Sequence, residues 1–100
     1  MTQEVTIAGN QVQVALQGSI YAEEAAALRK TLIGYIDRGH TSFLVDLSEV
    51  DYIDSAGVGT MVDMHNRSRK RGSGVVIKGL NGLVKDMFIL TRVGKILSVE

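Results

Sequence analysis

The sequence predicts an α/β domain built on a mixed or parallel sheet. Two observations predict it: apolar residues alternate with polar ones near the N-terminus, and later segments with helical spacing are separated by short apolar runs. Strands that alternate with helices favour parallel pairing through right-handed crossovers. The chain has 100 residues and no repeat or linker, so we expect one domain over residues 1–100.

A hairpin followed by a helix is predicted for the first part of the chain. Apolar residues occupy every second position on both sides of the turn signal Gly9-Asn10, which favours two paired strands with one buried face; they are Val5, Ile7, Val12, Val14 and Leu16. Gly18 is expected to end the second strand. Helical spacing then predicts a helix from Ala22 to about Arg38, and Gly39 fits its C-terminal cap.

The middle of the chain predicts a buried strand and a second helix. Ser42–Asp46 is nearly all apolar, which is typical of a strand covered on both faces. Residues 48–54 are expected to form a connection, and residues 55–71 a helix. We expect Met61 to lie in the core and Met64 to be the more exposed methionine; the apolar side of this helix is formed by Val58, Met61, Val62 and His65.

The last third predicts a strand, a helix and a short final strand. Val75–Ile77 is a second apolar run, and Asn81 can cap the helix that follows it. The tail, residues 96–99, is expected to form the last strand. The buried side of the third helix is expected to carry Leu83, Met87, Leu90 and Phe88.

Composition excludes several classes of protein. Eleven basic residues balance eleven acidic ones, so no overall field favours nucleic acid or an anionic membrane. The chain has no cysteine, which removes disulfides and thiolate chemistry. No apolar run approaches the ~20 residues that span a bilayer, and we expect no signal peptide. We therefore expect a cytoplasmic protein without a nucleic-acid or membrane partner.

The most informative motif is Asp54-Ser55-Ala56-Gly57-Val58-Gly59, at the start of the second helix. Glycine costs about 1 kcal/mol relative to alanine inside a helix, so two glycines indicate that something approaches this backbone closely. A serine at a helix N-terminus lies where negative charge is favoured. The motif predicts a phosphorylatable docking surface centred on Ser55, and a plain N-cap at this position remains an open alternative.

Other kinds of chemistry find little support in the sequence. A nucleophilic Ser55 needs a base, but His65 is ten residues away on the same helix, about 15 Å by helical rise, and His40 lies in a turn. No phosphate-binding glycine loop of the known spacings is present. Asp46, Asp51 and Asp54 offer carboxylates to a magnesium ion, although ordinary loop aspartates are the commoner explanation. We expect no enzyme, no cofactor and no metal site.

The chain resembles the STAS domain of bacterial anti-sigma factor antagonists. The resemblance rests on the strand Phe43–Leu47 and on the segment Val50–Gly59 with its Asp-Ser-x-Gly-x-Gly core. It extends over essentially the whole chain and implies a four- to five-stranded mixed sheet with helices mostly on one face. One departure is Tyr21, since relatives commonly carry an aspartate there, and a tyrosine offers a larger, partly apolar surface.

The resemblance also implies a partner switch. The unphosphorylated domain would bind an anti-sigma factor that is itself a serine kinase, and so free the sigma factor. Phosphorylation of Ser55 by that kinase would end binding, and a serine phosphatase would restore it. The partner-binding residues expected on this basis are Tyr21, Asp54, Ser55, Ala56, Gly57, Val58 and Gly59. Two alternatives remain: a scaffold subunit of a stressosome-like assembly, and an accessory subunit of a lipid-transport ABC complex.

Overall fold

The protein is described here by a computed structural model that covers residues 1–100. It contains five strands and three α-helices, which confirms the predicted α/β class. A 3₁₀ turn over Val93–Lys95 precedes the last strand. In chain order the elements are β1 (Thr2–Ala8), β2 (Gln11–Ile20), α1 (Ala22–Asp37), β3 (Ser42–Ile53), α2 (Ser55–Arg69), β4 (Val75–Lys78), α3 (Gly82–Leu90) and β5 (Ser98–Val99).

The strands form one mixed sheet in the order β1-β2-β3-β4-β5. β1 pairs with β2 as an antiparallel hairpin, with Ile7 opposite Val12, as the alternating pattern predicts. The remaining neighbours are parallel. Each helix joins two adjacent parallel strands, and the chain always advances in the same direction across the sheet. Right-handed crossovers therefore place all three helices on one face.

The core lies between this helical layer and the sheet. α1 buries Ala25, Leu28, Leu32 and Ile36, at the helical spacing predicted for it. Met61 is fully buried, as expected, but so is Met64, and its predicted exposure is wrong. α2 packs against α1 and α3 as well as against the sheet. The central helix of a layer buries a wider side than its apolar stripe indicates.

β3 is longer than predicted, and only one of its faces is buried. Its first half is not covered on both faces, because Leu44 and Asp46 lie half-exposed on the helix-free face of the sheet. Residues 48–53 belong to the strand rather than to a connection. The register with β2 shifts between Ala15 and Gln17 and again after Gly18. The inward residues Leu47, Val50 and Ile53 are therefore three apart, which disguises the strand.

Two further predictions are corrected. Gly18 does not end β2; it lies within the strand at φ +91°, at the second register shift, and β2 continues to Ile20. α3 buries Val84 and Phe88, whereas Leu83 and Leu90 are 64% and 77% exposed. α3 itself carries apolar residues on most of its sides, so their spacing alone does not identify the buried side.

The turn after β4 packs closely against a hydrogen-bonded pair of polar residues in β3, Asp46 and Ser48. Asp46 Oδ1 accepts a hydrogen bond from the Ser48 N–H at 2.9 Å. This N–H, the Ser48 hydroxyl and the Lys78 charge hold the pKa of Asp46 below its usual value, against the opposing effect of burial. Gly79, at φ +78°, leaves no room for a side chain, because a Cβ would lie 2.7 Å from Asp46 Oδ1.

Candidate functional site: the N-terminal end of helix α2

The Ser55 motif lies where β2 and β3 end side by side. Ile20 pairs with Ile53 at the last position of both strands. The Asp54 N–H then donates to the Ile20 carbonyl at 3.1 Å, which extends this pairing by one residue. Tyr21 and Asp54 are consequently neighbours, although 33 positions separate them in the sequence. The parallel register brings together two of the predicted site residues.

Asp54, and not Ser55, caps α2. The backbone of Asp54 is extended, and its Oδ1 accepts a hydrogen bond from the Gly57 N–H at 3.0 Å. Ser55 is the first helical residue, is exposed, and makes no side-chain hydrogen bond. The alternative of Ser55 as a plain N-cap is therefore ruled out by this geometry. Its hydroxyl remains free at the end of the helix that favours negative charge.

The two glycines of the motif have different surroundings. Gly57 is buried, and a Cβ there would lie 2.5 Å from Ile53 Cγ1 and 3.0 Å from Ile20 Cγ2. This glycine allows α2 to approach the ends of β2 and β3. A Cβ at Gly59 would meet nothing within 4 Å, and the residue is exposed. Close packing inside the domain explains Gly57 and leaves Gly59 unexplained.

The predicted contact residues separate into an inner and an outer set. Val58 is only 3% exposed and belongs to the core, and Gly57 is buried beside it, so neither presents a surface to a partner. The expectation that both contact a partner directly is corrected: they position α2. The residues that face outward are Tyr21, Ser55, Ala56 and Gly59, with Asp54 half-buried between them. We call these five residues the outer surface.

Tyr52 extends the outer surface, and sequence reasoning missed it. Its ring centroid lies 5.3 Å from that of Tyr21, with the planes tilted by 37°. The parallel pairing of Ser19 with Tyr52 places the two aromatic residues at the same edge of the sheet. Tyr21 remains 53% exposed. The predicted strands could not reveal this pair, because they end before Ser19 and Tyr52 and so give no register for these positions.

The sequence around Ser55 is acidic. Residues 48–59 contain Glu49, Asp51 and Asp54 and no basic residue. Glu24 of α1 adds a fourth carboxylate, whose Oε1 accepts from the Tyr21 N–H at 2.9 Å. The balance of charge over the whole chain therefore hides a local excess of negative charge at this end of the sheet. Added phosphate would be favoured by the helix N-terminus and opposed by these carboxylates.

The geometry does not build a hydrolytic or metal centre around Ser55. His65 faces the interior, where its Nδ1 accepts a hydrogen bond from the Val75 N–H at 3.0 Å. His40 packs edge-on against Tyr35, at 5.8 Å between ring centroids, beyond the far end of α1. Nowhere do three acidic or histidine side chains converge closely enough to hold a metal ion. Asp46 and Asp54 each bind a backbone N–H instead.

The chain belongs to the STAS domain family. The family model described as "Mlab, STAS domain" matches residues 4–98, which is nearly the whole chain. This result confirms the resemblance seen in the Asp-Ser-x-Gly-x-Gly core. No helix of the protein combines the length and apolar character needed to span a membrane.

Several relatives are named anti-sigma factor antagonists. The chain is 28% identical over 89 residues to the anti-sigma-B factor antagonist of Listeria monocytogenes, covering 89% of this chain and 78% of that protein. It is 27% identical over 91 residues to the one from Bacillus subtilis, covering 91% and 83%.

Solved structures of the anti-sigma factor antagonist SpoIIAA have the same fold. Its unphosphorylated form matches with a TM-score of 0.82 at 14% identity, covering 99% of this chain and 87% of that one. Its phosphorylated form, from Bacillus, matches with a TM-score of 0.79 at 14% identity, covering 99% and 91%. In that protein, both states therefore keep the fold seen here.

Proposed function

We propose that this protein is an anti-sigma factor antagonist that works as a phosphorylation-controlled partner switch. Its unphosphorylated form binds an anti-sigma factor that is itself a serine kinase, and so frees the sigma factor. Phosphorylation of Ser55 by that kinase ends binding, and a serine phosphatase restores it. The chain acts as ligand and substrate rather than as catalyst. The observation that carries the proposal is the free, exposed Ser55 hydroxyl on a helix already capped by Asp54.

The fold should tolerate the phosphate. A phosphoserine adds a charge of about −1.5 to −2 at neutral pH. The N-terminus of α2 stabilises that charge by ~0.3–1 kcal/mol, while Asp54 and Asp51 oppose it by a similar order. Ser55 is exposed, so its phosphate remains in water and displaces no packed group. We therefore expect phosphorylation to leave the domain folded, consistent with the shared fold of the two SpoIIAA forms.

The phosphate should weaken the binding of a partner much more than it affects the fold. Gly59 lies one helical turn beyond Ser55 and exposes its backbone, so a partner that covers it must also cover the Ser55 side chain. Binding would then bury a dianion among carboxylates. A desolvation penalty of ~4 kcal/mol would weaken binding about a thousandfold. One hydroxyl can thus switch the interface without refolding the domain.

The proposal can be tested by capture of partners from the host lysate. The parent chain and Ser55→Ala should both recover a serine kinase of the anti-sigma type, identified by mass spectrometry, whereas Ser55→Glu should recover much less. Asn66→Glu is the matched control, because it adds the same charge to an exposed position further along α2. Its recovery of the kinase should equal that of the parent.

Two results would reject the switch. One is equal recovery of the kinase by the parent and Ser55→Glu. The other is recovery of other STAS-domain proteins or of a transporter ATPase, independent of the residue at position 55, which would favour a scaffold or a transport subunit.

A further inference from the structure

A second surface lies between α3 and the C-terminal segment, at the β5 edge of the sheet. It is an open groove of about 400 Å³. Phe88 and Ile89 of α3 form one wall, and Val99 of β5 lies on the other. None of the groove's residues belongs to the outer surface around Ser55. This groove therefore needs an explanation of its own.

The charge of the groove has a single sign. Lys85, Arg92 and Lys95 line it, and no acidic residue does. The chain as a whole is neutral, so this concentration of cations contrasts with the acidic surroundings of Ser55. Three cations around an apolar floor are complementary to an occupant that carries both apolar groups and carboxylates.

Large exposed apolar side chains occur in the groove and next to its lining residues in the sequence. Ile89 is 63% exposed, Leu90 77% and Ile96 48%. Isolated apolar residues on a surface are ordinary, but here Ile89 lines the groove, and Leu90 and Ile96 directly follow the lining residues Ile89 and Lys95 in the chain. A small ligand in the groove would leave most of these side chains in water. An occupant with an extended apolar face would cover them together.

Arg92, which lines the groove, has an unusual backbone conformation. Its φ is +56°, and it is the one residue other than glycine in the left-handed region. A hydrogen bond from its N–H to the Ile89 carbonyl, at 3.1 Å, holds the turn after α3. Such a conformation costs of the order of 1 kcal/mol and occurs preferentially at functional positions. The turn places a cation at the groove where a glycine would be easier to accommodate.

We propose that this groove binds an acidic amphipathic helix of a partner protein. Apolar residues along one side of that helix would pack on Phe88, Ile89 and Val99, while its carboxylates would pair with the three cations. The concave, two-walled shape favours an inserted helix over a flat membrane surface. The groove shares no residue with the outer surface, so we expect groove binding to be independent of Ser55.

The test is an NMR titration of the ¹⁵N-labelled chain with two designed peptides. Each has about 18 residues, enough for several helical turns, with leucines along one side. One carries glutamates on its other side, and the second carries lysines at the same positions. We expect saturable shifts at Ile89, Arg92, Lys95 and Val99 with the acidic peptide alone, and weaker binding at higher salt.

Variants test whether the acidic peptide binds in the groove. Ile89→Ser and Lys95→Glu alter exposed side chains, so the fold should persist, and each should weaken binding at least about tenfold. Lys70→Glu is the control: it reverses an exposed cation at the end of α2 and should change nothing. Ser55→Glu should also bind normally, which separates this proposal from the phosphorylation switch.

Three outcomes would overturn the proposal: no saturable shift with the acidic peptide, equal binding of the basic peptide, or binding that Ile89→Ser and Lys95→Glu leave intact. Binding to vesicles of anionic phosphatidylglycerol in the absence of peptide binding would likewise overturn it and indicate a membrane surface.

Discussion

The inner and outer sides of the first turns of α2 differ sharply in what determines their residues. On the inner side, Gly57 and Val58 are buried against the ends of β2 and β3. On the outer side, Ser55 and Gly59 face solvent, and a Cβ at Gly59 would meet nothing within 4 Å. Two glycines of one motif therefore have two different explanations. The inner glycine is needed for folding, whereas the outer glycine weakens the helix and is best explained by a partner.

Gly57→Ala tests the inner side most directly and should destabilise the domain. The added Cβ overlaps Ile53 Cγ1, and overpacking of this kind costs ~1–3 kcal/mol. The gain in helix propensity returns about 1 kcal/mol, so we expect a net loss of up to about 2 kcal/mol, measured by urea unfolding.

Removing the obstructing side chain provides the control for Gly57. Ile53→Ala opens a cavity and destabilises the domain alone, but it should lessen the cost of Gly57→Ala in the double variant. Strictly additive free energies of unfolding would contradict the packing explanation.

His65→Leu tests the inner side two turns further along α2. The substitution removes the acceptor of the buried Val75 N–H, which should lower the free energy of unfolding by about 1–3 kcal/mol. Asn66→Leu alters the exposed neighbouring residue and should stay within about 0.5 kcal/mol of the parent. Chemical denaturation measures both variants. If His65→Leu is as stable as Asn66→Leu, the hydrogen bond makes no net contribution to stability.

Asp54→Ala tests the boundary between the two sides. Loss of the cap on the Gly57 N–H should cost about 1 kcal/mol of unfolding free energy. Asp54→Asn retains an acceptor oxygen and should recover most of that loss. If thermal unfolding shows Asp54→Asn to be as unstable as Asp54→Ala, the charge rather than the hydrogen bond would be responsible.

Gly59→Ala should have the smallest effect on stability, and of the opposite sign. Its Cβ enters open space, so the helix should gain about 0.5–1 kcal/mol, measured again by urea unfolding. Binding of the captured kinase should weaken nonetheless, because the methyl group holds the partner away from the backbone. A variant that is both more stable and fully competent in binding would remove the reason given for this glycine.

The sequence predicts the elements well where the apolar period is simple. The hairpin and α1 follow from period two and period 3.6; Val12, Val14 and Leu16 are buried as expected, whereas Ile7 is 48% exposed. The predicted β3 is too short because the register shifts place Leu47, Val50 and Ile53 three residues apart, which does not match the period of a strand. Met64 was misplaced because burial of α2 depends on neighbours on both sides, which no single-helix pattern contains.

The motif also locates the site, but not the roles within it. Ser55 and Asp54 could be identified because a helix start has its own chemical signature. The division between Gly57 and Gly59 could not, since it depends on where Ile53 and Ile20 point. Tyr52 was missed for a related reason: its proximity to Tyr21 requires the parallel register of β2 and β3.

The most direct test of the switch is a paired titration of the captured kinase with the parent chain and with the chain carrying phosphoserine at position 55. The account predicts affinity lower by about a thousandfold for the phosphorylated chain, with an unfolding midpoint close to that of the parent. Equal affinities, or a loss of affinity that comes from unfolding of the phosphorylated domain, would contradict it.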